Sequence, residues 1–293
     1  MSYINNRKMG LSDVVIYGFI GICMLLVLFP FYYVICISFI HEDVYVPMRL
    51  VLWPERFSLG AYEYILTSSN FLTALKNTVF ITLVGTVLKL YVNFSFAYGL
   101  TKRNAPGHRL LSSLVVVTLI FHAGIVPNYL LIKELGLINK QWSLIFPALY
   151  SAWDLIVIRS FMYALPAEIE ESARIDGCND LTVFFKIILP LSMASIATFT
   201  LFFAVAFWNV YFNAMMYLSD SNKWTLQVLL KTMIIDSDSM GGFSAAASGD
   251  EKMLPQETIK MAAIVLAMLP ILCVYPFLQK FFAKGVLLGS VKG

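Results

Sequence analysis

Asp154 stands beside Trp153 in the middle of a long apolar stretch, with Arg159 following toward its end. A carboxylate at mid-bilayer depth costs several kcal/mol unless it is paired or hydrated, so such groups face a protein interior or a watery path. His122 and Asn128 fall inside another apolar stretch, and Trp208, Asn209 and Asn213 close a further one. Aromatic faces lie well against the C–H faces of sugars, while amides and carboxylates hold hydroxyls by donating and accepting hydrogen bonds. Trp153 with Asp154, and Trp208 with Asn209, have that composition. These residues are candidates for lining a substrate path. The same types also bond one helix to another and anchor rings at the membrane surface, and the sequence leaves both roles open.

Bond-making chemistry has no such candidates. His41, His108 and His122 are scattered, and Cys23, Cys36, Cys178 and Cys273 form no CxxC pair. Neither a zinc site nor a disulfide framework is expected, and no cofactor or metal is expected in this chain. There is no GxxxxGK[ST] phosphate loop and no Gly–Lys dipeptide, so the chain supplies no ATP chemistry itself. A net charge of +3 gives no reason to invoke nucleic acid.

One polar segment interrupts the apolar sequence: EESARIDGCNDLTVFFKIILP, Glu170 to Pro190. Pro166 can open a helix, because the first turn has no use for its missing N–H. Glu168, Glu170 and Glu171 follow, where negative charge suits a helix N-terminus. Glu170 and Arg174 lie at i,i+4 in the favourable order. Gly177 reads as the residue past the helix end, where positive φ is easiest for Gly. Asp180 is then expected to cap a second helix, Leu181 to Leu189, stopping at Pro190. Such a hairpin can serve as a rigid lever against another protein, or simply connect two spans.

The elements that carry these groups follow from composition. Of 293 residues 59% are hydrophobic and 13% charged, about half the charged share of an ordinary globular domain; the mean hydropathy is +0.76. A spanning helix needs about 20 apolar residues. Six stretches qualify: 13–39, 74–101, 110–132, 143–163, 191–213 and 258–282. The first lacks a small-residue cleavage site and reads as a retained span. Arg7 and Lys8, then Lys102, Arg103 and Arg109, then Arg174 and Lys186, then Lys280, Lys284 and Lys292 all fall on one side if both termini are cytoplasmic. Lys133 and Lys140, with Glu134, fall on the other. The expected organisation is a cytoplasmic N-terminus over 1–12 and one transmembrane domain over 13–293. Within it lie a cytoplasmic loop at 164–190 and outer segments at 41–73 and 214–257.

The first outer segment carries Pro47, Trp53 and Pro54 and a short helical candidate after Ser58. In the second, Leu226, Leu229, Leu230 and Met233 repeat at helical spacing. Asp236 to Lys252 is rich in Ser, Gly, Ala and acid and reads as a mobile loop, either a tolerated insertion or a partner-docking arm. Gly124, Pro127, Pro147, Pro270 and Pro276 interrupt the spans. Such breaks are tolerated where neighbours or water satisfy the freed carbonyls.

Glu171, Ser172, Ala173, Gly177, Ile187, Leu189 and Pro190 keep the spacing of the EAA loop of ABC importer permeases, with Ser172 for the usual Ala. PFYY…SF at Pro30 to Phe39, Asn77–Thr78, LIKELGLINKQW at Leu131 to Trp142, AFWNVYFNAMMYL at Ala206 to Leu218 and the tail from Gln279 through Gly285 to Gly293 extend the likeness over nearly the whole chain. The sequence resembles the carbohydrate-type, maltose-permease-like members of that family, in the branch named for the LplC and YtcP proteins; Asp154 departs from that branch, where Asn is expected.

The resemblance implies an all-α, polytopic fold with six transmembrane helices, the type I ABC importer permease fold, in a bacterial plasma membrane. It also implies import of oligosaccharides or complex-glycan fragments. The implied partners are a second, usually non-identical permease, a cytoplasmic ATPase dimer that binds ATP and Mg, an extracellular solute-binding protein, the sugar and membrane lipid. The ATPase-coupling residues would be Glu170, Glu171, Ser172, Ala173, Asp176, Gly177, Ile187, Leu189 and Pro190. A secondary sugar transporter not driven by ATP is the alternative, but it would usually show an internal repeat, and none is evident. A membrane enzyme would need a reactive set that the scattered histidines do not provide.

Overall fold

The computed structural model describes residues 11–46, 49–235 and 255–289. Arg7, Lys8, Pro47, Lys292 and the Ser- and Gly-rich stretch Asp236 to Lys252 lie outside the described residues. The rest is helix and turn, without a strand among the described residues. The chain forms two compact units, Met1–Thr67 with Met233–Met268, and Ser68–Thr232 with Leu269–Gly293.

In the first unit, α1 (Leu11–Ser38) is apolar on every side. Its side chains from Val14 to Leu28 are exposed in the isolated subunit. A helix of this kind requires a non-aqueous surrounding. A loop follows, closed by an isolated bridge between Ile40 and Phe57. The Tyr32 hydroxyl also donates to the Leu52 carbonyl. The short helix expected after Ser58 is α2 (Gly60–Thr67); the Ser58 hydroxyl accepts from the Gly60 N–H at 3.1 Å.

The second unit is built around α3 (Ser69–Thr101), 33 residues long. The 110–132 stretch is not one helix. It is α4 (His108–Ile120) and α5 (Ile125–Glu134), separated by Phe121 to Gly124. Gly124 has φ +84°, a left-handed conformation that costs little only without a Cβ. The fourth stretch is also broken. α6 (Trp142–Ile145) runs into a 3-10 turn, and α7 (Ala152–Tyr163) begins anew at a bend of 50°. The polar segment gives α8 (Ala167–Ile175), α9 (Asp180–Val183), a π-helical turn over Phe184–Ile188 and α10 (Leu189–Leu191). An 80° bend then leads into α11 (Met193–Trp208), followed by α12 (Phe212–Tyr217).

α13 (Leu226–Ile235) buries Leu226, Leu229, Leu230 and Met233, the periodic set read from the sequence. α14 (Gln256–Gly289) contains Pro270 and Pro276. Among the described residues, three helices are long and apolar enough to span a bilayer, or five if each bent pair is one span. The third stretch is the exception, since 13 and 10 residues are each too short alone.

α11 and α7 pack along α3. At the α3–α11 crossing an added Cβ on Gly85 would lie 2.7 Å from the buried Phe207 ring, so only Gly fits. At the N-terminal end of α3, three of the sequence stretches noted above are tied together. The Asn77 amide donates to the Asn222 carbonyl at 2.8 Å and accepts from Gln141 at 2.7 Å. The Thr78 hydroxyl accepts from the Leu226 N–H at 2.7 Å. The Asn139 N–H donates to the Tyr217 carbonyl at 2.7 Å.

Candidate functional site

The polar hairpin is closed by backbone geometry. Gly177 has φ +82°. Its N–H donates to the Arg174 carbonyl and the Cys178 N–H to the Ala173 carbonyl, both at 3.0 Å. This pair of bonds is a Schellman motif, which needs the left-handed residue at this position. The N-cap of the following helix is Asn179, not Asp180 as expected: the Asn179 side chain accepts from the Thr182 N–H at 2.8 Å. Nor does that helix stop before Pro190. Proline lacks an N–H and crowds the carbonyl four residues back, and the wide π turn just before it relieves both demands.

The hairpin's acidic residues divide by environment. Glu170 is half-buried, its carboxylate held by the Lys102 ammonium and by Arg174 at 3.1 Å. Arg174 also reaches Asp180 at 2.7 Å. Glu171 is exposed, with no side-chain partner among the described residues. Ala173 is the buried residue of α8 and joins the core with Tyr98, Leu100 and Val183. Ile187 and Leu189 pack against that core, while Ser172, Asp176 and Pro190 are exposed. Two features escaped the sequence reading. Ile175, 86% exposed, and Leu181 present apolar surface beside Gly177. An isoleucine in an otherwise polar run was the available signal. In the sequence Lys102 stands out only as part of a basic cluster.

The candidate path residues do not form one site. Asp154 lies in the first turn of α7, with its N–H on the Ser151 hydroxyl. Its carboxylate meets the Lys89 ammonium at 3.0 Å, with both side chains nearly buried (13% and 12% exposed). Lys89 also lies 4.4 Å from the centre of the Phe203 ring. Close by, the Asn93 amide donates to the Leu149 carbonyl at 2.7 Å, satisfying a group at the break before α7. Trp153 is 56% exposed and takes no part in that pair. Trp208 is 5% exposed and lines an apolar cavity with Leu83 and Pro270. Asn209 is occupied by the Val205 carbonyl and by Gln227. His122 is exposed in the break between α4 and α5.

Asn128 and Asn213 do come together. Both line a cavity of about 240 Å3 with Pro147, Ala148 and Tyr217. Neither side-chain amide is hydrogen-bonded among the described residues. No group of three or more His, Cys, Asp or Glu side chains placed to hold a metal occurs among the described residues.

A helical chain with apolar stretches long enough to span a bilayer, a polar hairpin between them and polar groups at helix breaks has the make-up of a membrane transport subunit. The chain belongs to the family of binding-protein-dependent transport system inner membrane components, which matches residues 2–288. It is 46% identical over 287 residues to the polygalacturonan/rhamnogalacturonan transport system permease protein YtcP of Bacillus subtilis, covering 98% of this chain and 100% of that one. It is 44% identical over 293 residues to protein LplC of the same organism, covering 99% and 98%. Among solved structures it superposes on a chain of a bacterial ABC transporter involved in the import of the acidic polysaccharide alginate. That match has a TM-score of 0.87 and 31% identity, over 96% of this chain and 100% of the other.

Proposed function

We propose that this chain is the permease subunit of an ATP-driven importer of oligosaccharides or complex-glycan fragments. It works beside a second, non-identical permease, on a cytoplasmic ATPase dimer that holds ATP and Mg, and receives sugar from an extracellular binding protein. Both termini are cytoplasmic. The observation that carries this reading is the Schellman-closed hairpin, which leaves Glu171, Ile175 and Leu181 outward on a backbone that cannot easily bend. Apolar tips flanked by charge suit a groove on a partner protein, and a rigid hairpin transmits displacement instead of absorbing it. A relative named as a polygalacturonan/rhamnogalacturonan transport permease, and the alginate importer, support a sugar substrate.

Within the subunit, the Asn128–Asn213 cavity is the best-supported segment of the sugar path, because its amides are free to donate and accept. Asp154 is occupied by Lys89, which favours a structural role for it. The test is uptake by proteoliposomes holding the purified complex, with the binding protein loaded by the glycan it retains on purification. ATP sealed inside should drive accumulation. Uptake that follows a proton or sodium gradient without ATP would sink the reading.

A further inference from the structure

Lys102 lies outside the hairpin, 68 residues before Glu170, and its ammonium sits on the Glu170 carboxylate. It is the C-cap of α3, with its own N–H on the Gly99 carbonyl at 3.3 Å. The ammonium also lies 4.3 Å from the centre of the Tyr98 ring. From Lys102 a chain of charges runs through Glu170 and Arg174 to Asp180, from the end of α3 across α8 to α9.

These groups line a cavity of about 690 Å3 between the turn after α3 and α8. On that side α8 is not packed solidly against α3. Among the connections are the one buried residue of α8, Ala173, and this ion pair. Burial, with Arg174 adding to it, pulls the Lys102 ammonium below the usual lysine value, against the opposing pull of Asp180. A pair in such a place is held under both push and pull, because separating it leaves a poorly solvated charge on each side.

α3 is also the helix on which the rest of this unit rests. Gly85 seats α11, Lys89 holds Asp154 at the start of α7, and Asn93 holds the break before it. We propose that Lys102 is a positioning residue for coupling: through Glu170 it makes α3 follow the movement of the hairpin. Glu170 and Glu171 then have separate tasks, the first facing inward to α3 and the second outward to the ATPase. The inference rests on the ATP-driven importer reading.

The test uses the assembled complex with a single cysteine at Val87, an exposed position of α3. Its maleimide labelling rate is compared with and without ATP plus vanadate, and bound ATPase is quantified alongside. In Lys102→Met the nucleotide-dependent change should fall about tenfold, the scale of losing one partner of a half-buried charge pair, while the ATPase stays bound. Lys102→Arg and the exchanged pair Lys102→Glu with Glu170→Lys should restore the change, and Lys102→Met should melt in detergent within a few degrees of wild type, which a purely structural lesion would not allow. A wild-type response in Lys102→Met overturns the proposal. So does loss of the bound ATPase in that variant, which would place Lys102 in docking. A wild-type complex without any nucleotide response would sink the importer reading and this inference with it.

Discussion

Gly177 carries more of the hairpin than its size implies. Its left-handed φ allows two backbone bonds to close the turn, and a β-branched residue there is strained by roughly 1–2 kcal/mol or more. Gly177→Val should leave the subunit inserted but strip the ATPase from it in a membrane pull-down. Glu171→Lys should do so to a lesser degree; full ATPase retention in Gly177→Val would refute the lever. At Asp154 the expected defect is of another kind. Asp154→Asn leaves Lys89 nearly buried without its counter-charge, a loss of about 3 kcal/mol on the scale of broken buried pairs. The melting temperature in detergent should drop, and the double change Lys89→Met with Asp154→Leu should recover most of it. If Asp154→Asn melts like wild type but takes up sugar differently, the residue belongs to the path after all.

Among the elements, α3 carries both α7 and α11, and at Gly85 it packs tightly on Phe207 of α11. A side chain there must displace a phenylalanine ring that is itself buried, so Gly85→Val should cost about 1–3 kcal/mol. It should also slow disulfide formation between cysteines placed across the α3–α11 crossing, and unchanged cross-linking with unchanged melting would count against that packing. α1, α2, α3 and α13 were all legible in the sequence, because long apolar runs and helical spacing survive without knowledge of neighbours. The Gly177 turn was legible for a similar reason, since it is local. The Lys89–Asp154 and Lys102–Glu170 pairs were not. Their partners are 65 and 68 residues apart, and nothing in a periodicity chooses one lysine over another. The Asn179 cap was missed because Asp180 beside it is as good a capping residue by type. Gly124 and Pro127 marked a break without fixing where α4 ends.

For the whole molecule, the basic clusters of the sequence predict an orientation that can be checked on intact cells. A cysteine at Asn104, in the turn after α3, should be closed to membrane-impermeant maleimide, and one at Ser221 should be open; the reverse pattern would invert the topology. The break between α4 and α5 has a consequence for the cell. The N–H groups of His122, Ala123 and Gly124 find no backbone partner among the described residues. In a stretch that crosses lipid, each such group is worth several kcal/mol of penalty unless water or another protein meets it. If a second permease covers this break, a copy made without it should be an unfinished membrane protein that proteases clear. Pulse–chase labelling with and without the partner gene should show a shorter half-life for the lone subunit, whereas equal half-lives would mean that water alone suffices at the break. If the lone subunit is the shorter-lived, the cell would not need to match the synthesis of the two permeases, because excess of this one would be marked by its own unmet hydrogen bonds.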